Sequence, residues 1–437
     1  MDGEWGDPWA SRNDDAYAAL LAHVRSGPPG PVTVDVDHLG WDWGMPAARV
    51  RSAALRLEDL GIVTRGAGGS WEYAVLSDAD LSDAFDAWVA LFGPAVRATT
   101  TVLTPDLRDE LDRLVAAAER TAALRLPDFP TAFSASVQFW FSRCPDTLLR
   151  DLGTRAYERL RWARVPTVPW SVHDLHGWSR TVARAAATGD PDDATAAAER
   201  MEGLIETHRR HLGIVRTTDR EPLPAGLHPS VLDRVLLRHL RSGALPTGST
   251  HTVAGLVALT GARPDDVLDT LRWLVDLGLV VDAPGGVRVA APSIDTWREA
   301  MELLTGVFGN AALHVLPDLR GAALEEFLRL VDRARDDGHV RDHRYTESAF
   351  AVTRFLSEQT ENRWVREALR LAMARLAYAL PEAPPFRQWE TDALWMALEA
   401  AAGRGDVRAA RAAGREFTDV ARAHIDDVTA RYGTMGT

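Results

Sequence analysis

The chain has 437 residues, 46% of them hydrophobic and 25% charged, ordinary proportions for a folded globular protein. Its 62 acidic residues outnumber 49 basic ones, all arginine; the net charge of -13 argues against wholesale coating of a polyanion but permits one local basic face. A single cysteine, Cys144, excludes an intrachain disulfide and fits a reducing, cytoplasmic compartment, while the acidic start Met1-Asp2-Gly3-Glu4 lacks a signal-peptide core and no apolar run approaches ~18 residues.

Residues 1–14 are polar, with Gly and Pro. A helix is predicted over 15–25 and a stronger one over 46–60, stopped by Gly61. Ile62-Val63-Thr64 and Trp71-Glu72-Tyr73-Ala74-Val75, joined across Gly66 to Gly69, read as a hairpin. From 78 to 212 the pattern is helical, with breaks predicted at Pro94, Pro105, Pro127, Pro130, Pro145 and from Pro166 to Pro169. The stretch from Thr217 to Gly226 is polar and holds Pro222 and Pro224, as a linker would. Helices then resume from 229. A helix over 264–277 stops at Gly278, a hairpin surrounds Gly285-Gly286, and helices run from about 293 to 430.

The order of elements repeats because the sequence does. Shifted by 217 residues, Leu55-Arg56-Leu57-Glu58-Asp59-Leu60-Gly61 falls on Arg272-Trp273-Leu274-Val275-Asp276-Leu277-Gly278. Shifted by 216, Phe92-Gly93 falls on Phe308-Gly309, Leu114-Val115 on Leu330-Val331, and Gly189-Asp190 on Gly405-Asp406. A repeat of this length indicates two copies of one unit, a dimer fused into a single chain, whose copies can be compared residue by residue.

Three helices followed by a hairpin make a winged helix-turn-helix, and here the chain resembles a family. It is similar to the FadR branch of GntR-type bacterial transcription regulators, a winged helix followed by an all-helical ligand-binding (FCD) domain. The family's recognition-helix run sits on residues 45–63 and again on 262–280, and its crossing into the helical domain is matched by Ala291-Pro292-Ser293-Ile294-Asp295. The resemblance implies a mainly α fold. Winged helix 1 spans 1–76, helical sensor domain 1 spans 77–213, and a linker spans 214–228. A degenerate winged helix 2 spans 229–291, and sensor domain 2 spans 292–437. The two bundles would form an internal pseudo-dimer, with the possibility of further dimerisation between chains.

A recognition helix reads the major groove from its N-terminal end, with arginines contacting guanine and phosphate. In copy 1 the helix over 46–60 carries Arg49, Arg51 and Arg56 against Glu58 and Asp59, a net of +1, and Arg65 stands at the base of the wing. In copy 2, Arg263 and Arg272 face Asp265, Asp266, Asp269 and Asp276, a net of -2; Leu268 replaces Arg51 and Asp282 replaces Arg65. An acidic helix approaches a polyanion unfavourably, so DNA contact is expected through winged helix 1 alone.

The resemblance further implies a divalent metal held by an aspartate and three histidines. Those positions map to Phe133, Val137, Ser179 and Met201 in copy 1, and to Ala349, Thr353, Trp395 and Phe417 in copy 2. None suits a borderline ion that prefers imidazole and carboxylate, so no metal or other cofactor is expected. In copy 2, Trp395 and Phe417 are expected to fill the space. In copy 1, Phe133, Val137, Trp140, Ser179 and Met201 are expected to line a pocket for an apolar or aromatic small molecule.

Copy 1 also carries His173, His176, His208 and His211. Helices over 171–188 and 192–212 should run antiparallel across Gly189, and the index sum of 381 for His173 and His208 places these two face to face. With His176, Asp174 or Glu206 they could bind a metal or transfer protons. The same residues also fit a capping box at Ser171–Asp174 and a solvated cationic helix end. No phosphate-cradling loop, nucleophile elbow, CxxC pair or HExxH is present, and Cys144 beside Pro145 reads as a small buried hydrophobe. The expectation is a ligand-responsive regulator rather than an enzyme. The alternative is a regulator scaffold reused as an enzyme, for example a biosynthetic one, or as a small-molecule-binding protein.

Overall fold

A computed structural model describes residues 15–26, 33–59, 62–65, 71–73, 77–126, 128–162, 172–214, 231–291, 293–340, 344–379 and 391–432. The Gly66–Gly69 tip, the linker from 215 onward, Pro127, the Pro166–Pro169 stretch and Ser171 lie outside these residues. The protein is mainly helical and divides into two compact units. The first comprises Met1–Pro145 and Arg150–Thr217, the second Asp146–Leu149 and Thr218–Thr437.

Unit 1 opens with α1 (Asp15–Ser26), β1 (Thr33–Val34), α2 (Val36–Asp42) and α3 (Ala47–Asp59). Strands β2 (Val63–Arg65) and β3 (Trp71–Tyr73) follow, and the antiparallel sheet has the order β1-β3-β2. Arg65 pairs with Trp71 across the hairpin, and Trp71 pairs in turn with Val34 of β1. This is a winged helix-turn-helix. Its α2–α3 corner needs glycine twice. Gly44 takes φ +63, and a Cβ on Gly40 would come within 3.0 Å of the Met45 carbonyl oxygen. Val50, Ala53, Ala54 and Leu57 of α3 are buried with Leu20 and Ile62 to form the small core.

Six helices complete unit 1: α4 (Asp78–Thr100), α5 (Pro105–Ala123), α6 (Phe129–Ser142), α7 (Thr147–Trp162), α8 (Val172–Thr188) and α9 (Pro191–Leu212). Helix α4 starts at a reciprocal capping box between Ser77 and Asp80. The break expected at Pro94 is absent. Pro94 lies inside α4, where its missing N–H and its ring disfavour a helix by ~3 kcal/mol. Fifteen residues of α4 are buried, nearly everything from Ser82 to Val96, and packing on several sides outweighs that local cost. The other described prolines sit where a helix tolerates them: Pro105 and Pro130 in first turns, Pro145 just before α7.

Unit 2 has the same order of elements. Helices α10 (Val231–Arg241), α11 (Val253–Thr260) and α12 (Pro264–Asp276) accompany β4 (Thr250–His251), β5 (Val280–Ala283) and β6 (Gly286–Val289), in sheet order β4-β6-β5. Then come α13 (Ile294–Val315), a 3-10 turn at Leu316–Asp318, α14 (Gly321–Val340), α15 (Arg344–Gln359), α16 (Arg363–Ala379), α17 (Asp392–Arg404) and α18 (Val407–Tyr432). Both bundles bring their first and last helices together on small residues. A Cβ on Gly93 of α4 would meet Ala198 of α9 at 3.0 Å, and one on Gly414 of α18 would meet the Gly309 Cα of α13 at 3.0 Å. Both pairs are separated by the 216-residue shift.

Within unit 1, Gly153 of α7 admits the Phe141 ring of α6: a Cβ there would lie 2.1 Å from Phe141 Cδ1. Gly153→Ala is therefore expected to overpack this crossing and destabilise the fold by roughly 1–3 kcal/mol, seen as a lower urea midpoint. An unchanged midpoint would mean that the ring can move aside at no cost.

Candidate functional site

The outward face of α3 follows from the helical turn. Each residue of α3 advances by about 100°, so the buried stripe of Val50, Ala53, Ala54 and Leu57 leaves Arg49 and Arg51 on opposite flanks of the outward surface. Both arginines are exposed, and the first turn holds no acidic residue. Arg56 lies further along α3, on the flank of Arg49, and Arg65 ends β2; only their backbone positions are described. Sequence reasoning missed a third feature. Trp41 on α2 is 81% exposed and stacks on His38 with ring centroids 6.4 Å apart, while His38 reaches Asp42 at 3.5 Å.

Winged helix 2 keeps the skeleton and changes the surface. Val267, Thr270, Leu271 and Leu274 of α12 are buried, and Thr270 Oγ1 donates to Asp233 Oδ1 of α10 at 2.7 Å. Leu268, at the place of Arg51, is 40% exposed. Asp266 on α12 and Asp282 on β5, at the place of Arg65, are exposed carboxylates. Acidic groups at the start of α12 gain from the positive end of its helix dipole, and the same groups repel a phosphate.

In unit 1, all five expected pocket residues are buried: Phe133, Val137 and Trp140 on α6, Ser179 on α8 and Met201 on α9. The three on α6 recur at i, i+4 and i+7, one inward stripe. Trp178 sits 5.2 Å from the Phe133 ring and 6.4 Å from that of Phe92. Thr99 Oγ1 donates to the Trp140 carbonyl at 2.8 Å and ties α4 to α6. Three buried polar atoms here, Ser179 Oγ and the indole nitrogens of Trp140 and Trp178, have no hydrogen-bond partner among the described residues.

In unit 2 the equivalent positions Ala349, Thr353, Trp395 and Phe417 line a cavity together with Leu304, Phe308 and Tyr345. Its free volume is about 20 Å³, room for one water-sized group. Trp395 and Phe417 are both buried here, and the Phe308 and Phe417 rings stack 4.0 Å apart. At one side Thr391 Oγ1 accepts from Tyr345 at 2.8 Å and from Trp395 Nε1 at 3.1 Å. Burial pushes the Tyr345 phenol up to about 12, so it remains a donor at neutral pH. The donor sets of both bundles do not fit a divalent ion: the Thr353 hydroxyl donates to the Ala349 carbonyl, and the others offer aromatic rings, one serine and one thioether.

The described histidines of copy 1 do not converge on one site. His176 Nδ1 lies 2.7 Å from Glu119 Oε1 of α5. His211 Nδ1 lies 2.8 Å from its own helix's Thr207 carbonyl. Glu206 turns to Arg209 at 3.4 Å. His208 sets its edge against Phe85 of α4, and burial, then the neighbouring His211, lowers its imidazole to about 4. The side chain of His173 lies outside the described residues. The rings of His176 and His208 are taken by Glu119 of α5 and Phe85 of α4. Among the described residues, no group of three or more metal-ligating side chains is found.

Two buried arginines, related by 216 residues, were also missed. Arg159 of α7 bonds Asp80 Oδ1 at 2.6 Å. Arg375 of α16 bonds Glu299 Oε2 at 2.8 Å and donates through Nε to the Leu277 carbonyl at the end of α12 at 2.5 Å. The repeat itself was the signal, since both copies place an arginine there in a core-facing helix. Among the described residues, no helix is long and apolar enough to cross a membrane.

No protein-family model matches the sequence, and no curated protein matches it. Three solved structures are similar over 46% of this chain. One is McbR/YncC of E. coli, at 16% identity with 98% of that chain covered and a TM-score of 0.38. Another is GntR of Streptococcus agalactiae, at 16% identity, 99% coverage and a TM-score of 0.26. A third is Lar, described as controlling expression of the Listeria monocytogenes agr system, at 14% identity, 97% coverage and a TM-score of 0.30. All three scores fall below 0.5, so the domain reading rests on this chain's own element order, sheet register and motifs.

His208 gives a pH dependence with a definite sign. Its imidazole titrates at about 4 in the fold against about 6.5 in an unfolded chain, so the folded state binds fewer protons between those values. Stability from the neutral ring is complete above pH about 6.5 and is lost as pH falls toward about 4. His208→Gln is expected to flatten the fall in unfolding free energy over that window. Parallel wild-type and variant profiles would show that burial does not hold the ring neutral.

Proposed function

We propose that this chain is a ligand-responsive transcription regulator of the GntR type, FadR branch, in which two winged-helix-plus-bundle units share one chain. DNA is read through winged helix 1. The observation that carries this is the pair of exposed arginines, Arg49 and Arg51, in the first half of α3, with no acidic residue in its first turn. Guanidinium groups there can reach guanine edges and phosphates, and local charge outweighs the distant acidic surface within a Debye length of about 8–10 Å. Winged helix 2 serves as a structural partner.

The effector is an apolar or aromatic small molecule taken into a sensor bundle. The aromatic core of unit 1, with its orphaned Ser179 and Trp178 donors, supports this. Such a ligand would act by preferring one arrangement of a bundle over another. A second reading, a scaffold that no longer touches DNA and works as an enzyme or binding protein, is favoured by Leu268 and Asp282 standing where Arg51 and Arg65 stand in copy 1.

Binding of the purified chain to its own upstream DNA, followed by fluorescence anisotropy, tests the regulator reading. Arg51→Ala is expected to weaken binding by about 1–3 kcal/mol or to reduce the salt slope by about one. Absence of any salt-sensitive binding would remove the regulator reading and leave the second one.

A further inference from the structure

The two bundles treat their buried tryptophans in opposite ways. In unit 2 the Trp395 indole donates through Nε1 to Thr391 Oγ1 at 3.1 Å, and the Tyr345 hydroxyl donates to the same oxygen at 2.8 Å. Both donors are satisfied inside the bundle. Shifted back by 216 residues, Thr391 and Tyr345 fall on Leu175 and Phe129, both buried and neither with a polar side-chain atom. Unit 1 keeps interior donors all the same. Trp140, Trp178 and Ser179 are buried, and Trp140 Nε1, Trp178 Nε1 and Ser179 Oγ have no hydrogen-bond partner among the described residues. Ser179 does not turn back on its own helix as Thr181 does, whose hydroxyl donates to the Gly177 carbonyl at 2.6 Å.

An indole nitrogen can only donate, so what Trp178 lacks is an acceptor. A buried donor left unpaired costs stability, and a phenylalanine would supply an aromatic ring without that cost. Around Trp178 the surfaces are aromatic: its ring lies 5.2 Å from that of Phe133 on α6 and 6.4 Å from that of Phe92 on α4. Such rings suit a flat aromatic body. Met201, also buried, is unbranched and repacks readily around a guest. The side chains named here carry no charge, and a buried carboxylate without a cation beside it is strongly disfavoured, so a neutral oxygen fits better than an acid.

Resting on the reading that a sensor bundle takes an apolar or aromatic small molecule, we propose that unit 1 alone takes it, and that the molecule is an uncharged aromatic carbonyl compound whose oxygen accepts from Trp178 Nε1. Unit 2 has paired its own donors, and its cavity of about 20 Å³ holds no more than a water-sized group. One chain therefore binds one molecule, although the bundle is present twice.

Acetophenone, ethylbenzene and benzoate are similar in size and differ at one group. Each is titrated, without DNA, into the full chain isotopically labelled at its indole nitrogens, and the indole N–H signals are followed by nuclear magnetic resonance. Acetophenone is expected to move the Trp178 signal, identified by its loss in Trp178→Phe, and to leave the Trp395 signal, identified by its loss in Trp395→Phe, in place. Ethylbenzene, although more apolar, is expected to bind roughly tenfold more weakly, the worth of one hydrogen bond to a buried donor, and benzoate more weakly still. This ranking is measured on the unaltered chain and does not depend on a variant folding. In Trp178→Phe the preference for acetophenone over ethylbenzene should vanish.

Equal binding of acetophenone and ethylbenzene to the unaltered chain would overturn the acceptor and leave an apolar effector standing. An equal shift at Trp395 would overturn the restriction to unit 1. Failure of acetophenone to bind up to millimolar concentration would overturn the proposal as a whole. None of these outcomes depends on whether winged helix 1 reads DNA.

Discussion

In unit 2, the placement of the winged helix on its bundle turns on one buried guanidinium. Arg375, 5% exposed, spends Nε on the Leu277 carbonyl and Nη1 on Glu299 of α13. The Leu277 carbonyl belongs to the end of α12, where helix carbonyls lack intrahelical partners, so the arginine completes this helix as well as holding it. Gly278 makes this possible: at φ +66 it ends the helix, and a Cβ there would lie 2.7 Å from Nη2. One turn further along α16, the Tyr378 hydroxyl donates to the Ala290 carbonyl at 2.8 Å, just past β6. Removing one partner would leave a buried charge uncompensated, at a cost of about 3–5 kcal/mol. Unit 1 uses the same residue differently. Arg159, 2% exposed, bonds Asp80 in the capping box that starts α4 and so steadies the helix that leaves winged helix 1.

Above these clamps the two bundles solve one packing problem with different residues. One bundle buries Phe133, Ser179 and Met201 at these positions, while in the other Ala349, Trp395 and Phe417 line one cavity. The aromatic bulk has moved from α6 in one copy to α17 and α18 in the other. On α8 the indole is Trp178 beside Ser179; on α17 it is Trp395 beside Leu394, a shift of one residue and about 100°. Interiors tolerate such exchanges when total volume is kept. The copies therefore retain a common backbone crossing at Gly93·Ala198 and Gly309·Gly414 while their interiors diverge.

Helix α3 and the winged hairpins are legible in the sequence because each follows from local rules: an apolar stripe, a stopping glycine and alternating strands. Pro94 misleads for the opposite reason, since its tolerance depends on helices far away in the chain. Trp41 escapes because exposure of an aromatic residue is a tertiary fact. The packing of α8 on α9 was legible from the Gly189 turn, whereas the contact of the His208 ring with Phe85 of α4 depends on a third helix far away in sequence. The cavity of unit 2 was not legible either, because a gap of one methyl-sized group depends on how closely Ala349, Trp395 and Phe417 approach, not on which residues they are.

The two winged helices differ most clearly at matched surface positions. Leu268 and Asp282 stand where Arg51 and Arg65 stand in the first. Both changes act in the same direction: removing a guanidinium from the first half of α12 takes away a group that could reach a phosphate, and a carboxylate on β5 adds repulsion to it. Beneath them the buried stripe of Val267, Thr270, Leu271 and Leu274 matches that of Val50, Ala53, Ala54 and Leu57, so the helix is held in the same way while its outward chemistry changes. Packing constrains the inward residues, and nothing in the packing constrains position 51 or 268, which is why the surface could change without cost to the fold.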